Sequence, residues 1–268
     1  MRPLTGELET RILVVADGHP FVGIAKKLER ANENVLNLHR EIESHFQGGD
    51  YPVIPKPDNR GWQAAVDYHR NRQVPVRFSV LAGEIVHHLR SCLDHIVWHF
   101  APSAARQGPD GRRLEFPIFR EKPIKKEEVK AYERKIKGIT NSRVLDLIEK
   151  FQPYNRMPDP GNDALFIVYD LDRIDKHREL LIVDSCANVV FPPETPIGTI
   201  SVVMAYRNKE LLSAADTAIA RRAIKDAPVF PQVAFAEFGE GKTKFVIPSL
   251  VDLLNSVSNV AAEFGREA

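Results

Sequence analysis

Residues 77–101 read RFSVLAGEIVHHLRSCLDHIVWHFA, and the reading of this stretch decides the fold. At about 100° per residue, Phe78, Leu81, Ile85, Leu89, Cys92 and Ile96 share one apolar sector. Val86, Leu93 and Val97 widen it beyond an ordinary amphipathic stripe. The spacing therefore predicts a helix that is mostly buried, with neighbours on two sides. Its remaining sector holds His87, Arg90, Ser91, Asp94, His95 and Trp98. A Trp among an Arg, an Asp and imidazoles implies a covered face or a cleft wall. Along one edge, His88, Cys92, His95 and His99 follow i, i+4, i+7, i+11 spacing and line up.

Working outward, a helix from Pro20 to Phe46 carries Phe21, Ile24, Leu28, Ala31, Val35, Leu38 and Ile42 at three- and four-residue spacing. Asp17 is its candidate N-cap and Gly48-Gly49 its stop. Residues 51–61 are a proline-rich connector, and 63–74 alternate loosely as a strand. Residues 102–113, PSAARQGPDGRR, read as a loop, and Phe116-Pro117-Ile118-Phe119 as an apolar clip. A charged helix follows over 122–136, its mixed signs those of a solvated face. Another helix runs from a Ser142 N-cap to Phe151. The helix predicted over 163–183 is apolar on all sides yet carries Asp172, Arg173, Asp175, Lys176, His177, Arg178 and Glu179 in its middle. Buried charges are costly unless paired or functional, so Arg90 is expected to meet Asp172 or Asp175, and Asp94 to meet Lys176 or Arg178.

Beyond residue 188 the period changes. Strands are expected at 200–206, 232–238 and 242–247, with a short one at 189–191 and a Gly239-Glu240-Gly241 hairpin turn. A helix is expected at 211–225, and a last one from Pro248. The fold class is α+β, mainly α: a helical bundle with a small antiparallel β-sheet formed largely by the C-terminal third. Residues 1–185 form the bundle (with the strand at about 63–74), 186–248 a β-rich segment packed on it, and 249–268 a helix returning to it, as one compact unit.

The 268 residues are 43% hydrophobic and 27% charged, the profile of a folded globular chain. With 37 basic and 36 acidic residues the net charge is +1, so no global field steers the chain to nucleic acid or anionic lipid. The only thiols, Cys92 and Cys186, are expected reduced, and the protein cytoplasmic. Residues 12–16 are too short for a signal segment, and no apolar run reaches membrane-span length. No G-x-x-x-x-G-K-S/T, G-x-G-x-x-G, G-x-S-x-G or paired CxxC occurs, which argues against P-loop hydrolysis, dinucleotide redox chemistry and serine hydrolysis. No cofactor is expected.

His88-Leu89-Arg90-Ser91, Leu93-Asp94-His95, Phe116-Pro117-Ile118, Gln152-Pro153-Tyr154 and Asp172-x-x-Asp175-Lys176-His177-Arg178 occur in this order. The set resembles an uncharacterised group of bacterial proteins in which an LRSxLDHxVW helix is followed by FPI, QPY and DKHR. The resemblance spans residues 75–181 and implies no established activity. Separately, Arg90 to His95 is R-x4-H, similar to the Arg-x4-6-His signature of HEPN-type helical ribonucleases, with Ser91 where that family prefers Asn, Asp or His. This likeness implies a homodimer that cleaves RNA without metal. Under it His95 is the general acid/base, Arg90 stabilises the phosphate and Asp94 orients either one. Asp175, Lys176, His177 and Arg178 then contact substrate. Two alternatives stay open. His88, Cys92, His95 and His99, with Asp175, form a metal or small-ligand site, since i, i+4 pairs can share one ion. Or the charges are internal ion pairs of a non-catalytic interaction protein.

Overall fold

In a computed structural model the described residues are 8–47, 74–177, 183–189, 202–205, 229–235 and 244–268. The helices are α1 (Val22–Gln47), α2 (Val76–Phe100), α3 (Ser103–Gln107), α4 (Lys126–Lys135), α5 (Ser142–Lys150), α6 (Pro153–Arg156), α7 (Ala164–His177) and α8 (Val246–Gly265). The strands are β1 (Val183–Val189), β2 (Val202–Ala205), β3 (Val229–Phe235) and β4 (Lys244–Phe245). The class is α+β, mainly α. Among the described residues no helix is long and apolar enough to cross a membrane. The chain divides into two units: Met1–Val35, Gly83–Glu179 and Leu250–Ala268 in the first, Leu36–Ala82 and Leu180–Ser249 in the second.

In the first unit the apolar stripes of three helices meet. Ile24, Leu28, Ala31 and Val35 of α1 are buried, as are Ile85, Leu89, Cys92 and Ile96 of α2 and Leu250, Leu254, Val257 and Ala261 of α8. Helices α1 and α2 lie antiparallel. The Phe21 ring meets His99 at 5.4 Å between centroids, the Cys92 thiol donates to the Ile24 carbonyl at 3.7 Å, and the Asn34 amide reaches Glu84 at 3.5 Å. Phe264 of α8 closes one end, with rings of Phe116, Phe100 and Phe151 at 5.9, 6.1 and 6.2 Å. Aromatic contacts of this kind add to an already large area term. Phe264→Ala is expected to lower the unfolding free energy by about 3–5 kcal/mol. Urea titration should show this as a lower midpoint at unchanged slope.

The second unit holds the sheet, ordered β2-β1-β3-β4 with every neighbour antiparallel. It also holds an ion pair between Arg77 Nε and Glu41, 2.9 Å, that joins α2 to α1. Pro231 sits opposite Ala187 of β1. Among the described residues β4 pairs only with positions 234 and 235, so Pro231 lies where β3 has one paired neighbour, the edge setting in which a strand proline is found.

Several boundaries differ from expectation. Val183 begins β1 rather than ending the preceding helix. An apolar run such as 180–183 looks the same to a periodicity count whether it is helical or extended. The strand expected over 242–247 stops at Phe245, and α8 starts at Val246, ahead of Pro248. Proline is tolerated there because the first-turn N–H groups have no intrahelical acceptor anyway. Asp17 does not cap α1; the His19 Nδ1 accepts the Phe21 N–H at 3.0 Å instead. Asn141, not Ser142, caps α5, taking the Arg143 and Val144 N–H groups. Residues 102–113 are not an open loop: they hold α3 and a 3-10 turn over Gly111–Arg113. Residues 63–73 of the strand expected over 63–74, the helix at 211–225, the Gly48-Gly49 stop and the Gly239-Glu240-Gly241 turn lie outside the described residues.

Candidate functional site

The motifs singled out in the sequence converge, but around a backbone segment rather than a cleft. Residues 115–119 cross α2 as a strap. At one end Arg90, 3% exposed, donates from Nη2 to the Phe116 carbonyl at 3.0 Å and to Glu115 at 3.3 Å. The same nitrogen pairs with Asp94 Oδ1 at 2.8 Å, and that oxygen accepts the Phe116 N–H at 3.0 Å. Glu115 is also in contact with the Lys135 ammonium. At the other end Gln152, fully buried, donates to the Pro117 carbonyl at 2.7 Å and accepts the Phe119 N–H at 3.2 Å. These bonds satisfy a buried segment that belongs to no sheet. The Arg-Asp, Phe-Pro-Ile and Gln-Pro-Tyr motifs are thus parts of one clasp. Burial pushes the Asp94 carboxyl above its ordinary range, against the opposing pull of Arg90 and the Phe116 N–H.

Arg90 therefore does not meet Asp172 or Asp175. Among the described residues of α7 it meets the Tyr169 ring, 5.8 Å from the guanidinium carbon, and its Nη1 is buried there without a hydrogen-bond acceptor. Nor does Asp94 pair with Lys176. The α7 charges form their own set. Asp172 accepts from the Lys176 ammonium at 2.8 Å and lies 3.5 Å from the His87 ring. Asp175 packs against Gly83, where a β-carbon would stand 2.5 Å from its Oδ1. Arg178 and the His177 side chain lie outside what is described.

His95 points elsewhere. It lies in a cleft of about 460 Å³ with Gly23, Trp98, His99, Arg106 and Leu114, all from the first unit. Asp175 and Lys176 do not line it. Trp98 is 44% exposed, a large indole left open where burial would be favourable. Asp94 also borders the cleft, but its Oδ1 is held by Arg90 and the Phe116 N–H. Arg106 is carried on α3, whose first turn is tied back to Pro102. Among the described residues neither Arg106 nor the nearby Lys27 forms an ion pair. Desolvation holds His95 below its ordinary value, and the Lys27 ammonium lowers it further. His99 is lowered by desolvation, then by Arg106 and His19. His88 is lowered by desolvation, then by Lys27, with smaller effects from His87 and Arg30.

These shifts set a pH dependence of stability. Between their folded values and about 6.5 the unfolded chain carries protons on these imidazoles that the folded chain does not. Stability is expected to be complete above that window and to fall as pH drops through it. Urea midpoints measured from neutral to mildly acid pH check this; a flat or rising midpoint contradicts it.

The metal arrangement fares differently. Cys92 is buried with its thiol on the Ile24 carbonyl, and burial pushes its pKa up to about 12, far from a thiolate ligand. Among the described residues no group of three His, Cys, Asp or Glu side chains converges as a ligand set. Arg106 and Lys27 were not singled out by sequence reasoning. Arg106 sat in what read as a loop, and Lys27 lies off the apolar stripe by which α1 was read. Trp98 was the usable signal, as an aromatic on a polar sector. In comparisons with family models, curated proteins and solved structures, the chain matched none.

Proposed function

We propose that the chain binds single-stranded RNA in the His95–Trp98–His99–Arg106 cleft and cleaves it without metal. One observation carries this reading: an exposed indole, two imidazoles held below their ordinary values and Arg106, which has no ion pair among the described residues, border the same cleft. An aromatic face stacks any base, and unpaired Lys and Arg hold phosphate, which is how single strands are bound without sequence readout. The catalytic cation is then Arg106 rather than Arg90, and Asp94 belongs to the clasp. The reading needs no second copy, since every group comes from one chain.

In the reaction His95 takes the proton of a 2′-hydroxyl as its oxygen attacks the adjacent phosphorus. The bond to the 5′-oxygen breaks, and the leaving oxygen takes a proton from His99. The products are a 2′,3′-cyclic phosphate and a 5′-hydroxyl. Arg106 stabilises the charge that builds on the phosphorane oxygens. The acid must be protonated beforehand, and the bound phosphate favours this by raising the pKa of the nearer imidazole.

The test is incubation of purified protein with a labelled RNA oligonucleotide in a chelator, with product ends identified. Cyclic phosphate ends lost in His95→Ala support the reading; equal product from both proteins rejects it. Affinity carries a sign as well. Phosphate favours the imidazolium forms, so binding of an uncleavable 2′-O-methyl strand is expected to tighten as pH falls from neutral toward the lowered folded values of these imidazoles. Affinity independent of pH contradicts a role for His95 and His99. A second reading, an RNA- or protein-binding module without catalysis, is favoured by the closure of Arg90 and Asp94 into the clasp and by the Asp172–Lys176 pair. It expects binding at the cleft with no product.

A further inference from the structure

We infer that the ligand is a strand of several nucleotides tracking the α1–α2 groove, with Lys27 and His88 as a second phosphate station beyond the cleft. This rests on the RNA reading above and extends it along the protein. The cleft takes Gly23 and Ile24 from α1. Lys27 lies three and four residues on, hence on the same face one turn further along. On α2 the edge facing α1 is fixed by the Cys92 thiol on the Ile24 carbonyl. His88 precedes Cys92 by one turn on that edge and His95 follows it by another. The helices run antiparallel, so advancing along α1 from Gly23 to Lys27 means retreating along α2 from His95 toward His88.

The electrostatics agree with this register. Lys27 acts on both His95 and His88, whereas Arg30, the next turn of α1, acts on His88 alone. Arg30 is partly committed, pairing with Glu33 at 3.1 Å. Lys27 has no ion pair among the described residues, and the His88 Nδ1 is buried there without a partner. The Lys27 ammonium one turn beyond the cleft fits a second phosphate about 5.4 Å further along the groove, with the His88 ring as the wall of that station and its buried Nδ1 turned away from the strand. A positively charged groove beside an aromatic platform is the usual construction for single strands.

The experiment compares uridine 3′-monophosphate with a 2′-O-methyl-uridine pentanucleotide, titrated over a range of salt against wild type, Lys27→Ala and Lys27→Arg. The expected result is a steeper salt dependence for the pentanucleotide, with the slope reduced by about 0.7 in Lys27→Ala. Lys27→Arg should restore it, and the mononucleotide should be unaffected. Equal slopes for both ligands, or a Lys27→Ala effect shared by both, overturn the inference while leaving the cleft intact. Binding insensitive to Trp98→Ala and Arg106→Ala would instead reject the RNA cleft itself.

Discussion

Arg90→Ala is expected to destabilise the protein by about 3 kcal/mol while leaving the activity per folded molecule unchanged. Truncation strips the Phe116 carbonyl of its donor, leaves Asp94 without its positive partner and leaves Glu115 with Lys135 alone. The carbonyl is buried, so water does not replace the bond. The penalty stays below that of a fully enclosed pair because Asp94 and Glu115 retain 30% and 39% side-chain exposure. Arg90→Lys should recover part of the loss, since an ammonium keeps the charge, but its stem is one atom shorter and does not carry the nitrogen to the place where Nη2 meets the carbonyl and both carboxylates. Urea unfolding of the three proteins reads the effect. Cleavage assays corrected for folded fraction supply the second half. An Arg90→Ala protein as stable as wild type yet inactive would return Arg90 to the reaction, as the R-x4-H likeness implies.

His95→Ala should show the opposite signature. Loss of a general base is expected to cut cleavage by about 10²–10⁴-fold. Stability should move by no more than about 0.5 kcal/mol, because His95 is exposed and its removal opens no cavity. Binding of the uncleavable strand at neutral pH should weaken little, since the neutral imidazole carries no charge to the phosphate. The two substitutions, five residues apart on one helix, thus separate architecture from chemistry. If His95→Ala loses stability and activity in proportion, His95 is only a packing residue.

How far the sequence could be read follows from where the partners lie. The buried faces of α1, α2 and α8 were legible because their apolar spacing is local and their neighbours are helices of the same period. Asp94 stands at i+4 from Arg90, the helical spacing at which the two side chains meet. The partners that decide its role were not: Glu115 and Phe116 stand more than twenty residues away, and one of the contacts is to a carbonyl that every residue has. Gln152 is hidden for the same reason, since both its strap bonds are to backbone. Charge counting paired Arg90 with the α7 acids because they are the conspicuous charges, whereas a strap with unsatisfied backbone groups makes the stronger demand. The cleft was half legible. Trp98 and His95 marked its α2 wall, but Arg106 became visible only once residues 102–113 took helical form.

The cleft is tested most directly by the emission of Trp98, made the sole tryptophan by Trp62→Phe, during titration with a 2′-O-methyl-uridine pentanucleotide. Stacking of a base on the indole predicts saturable quenching that weakens in Arg106→Ala and persists in Arg90→Lys. Emission that stays constant in folded protein through the whole titration would contradict the cleft as an RNA site.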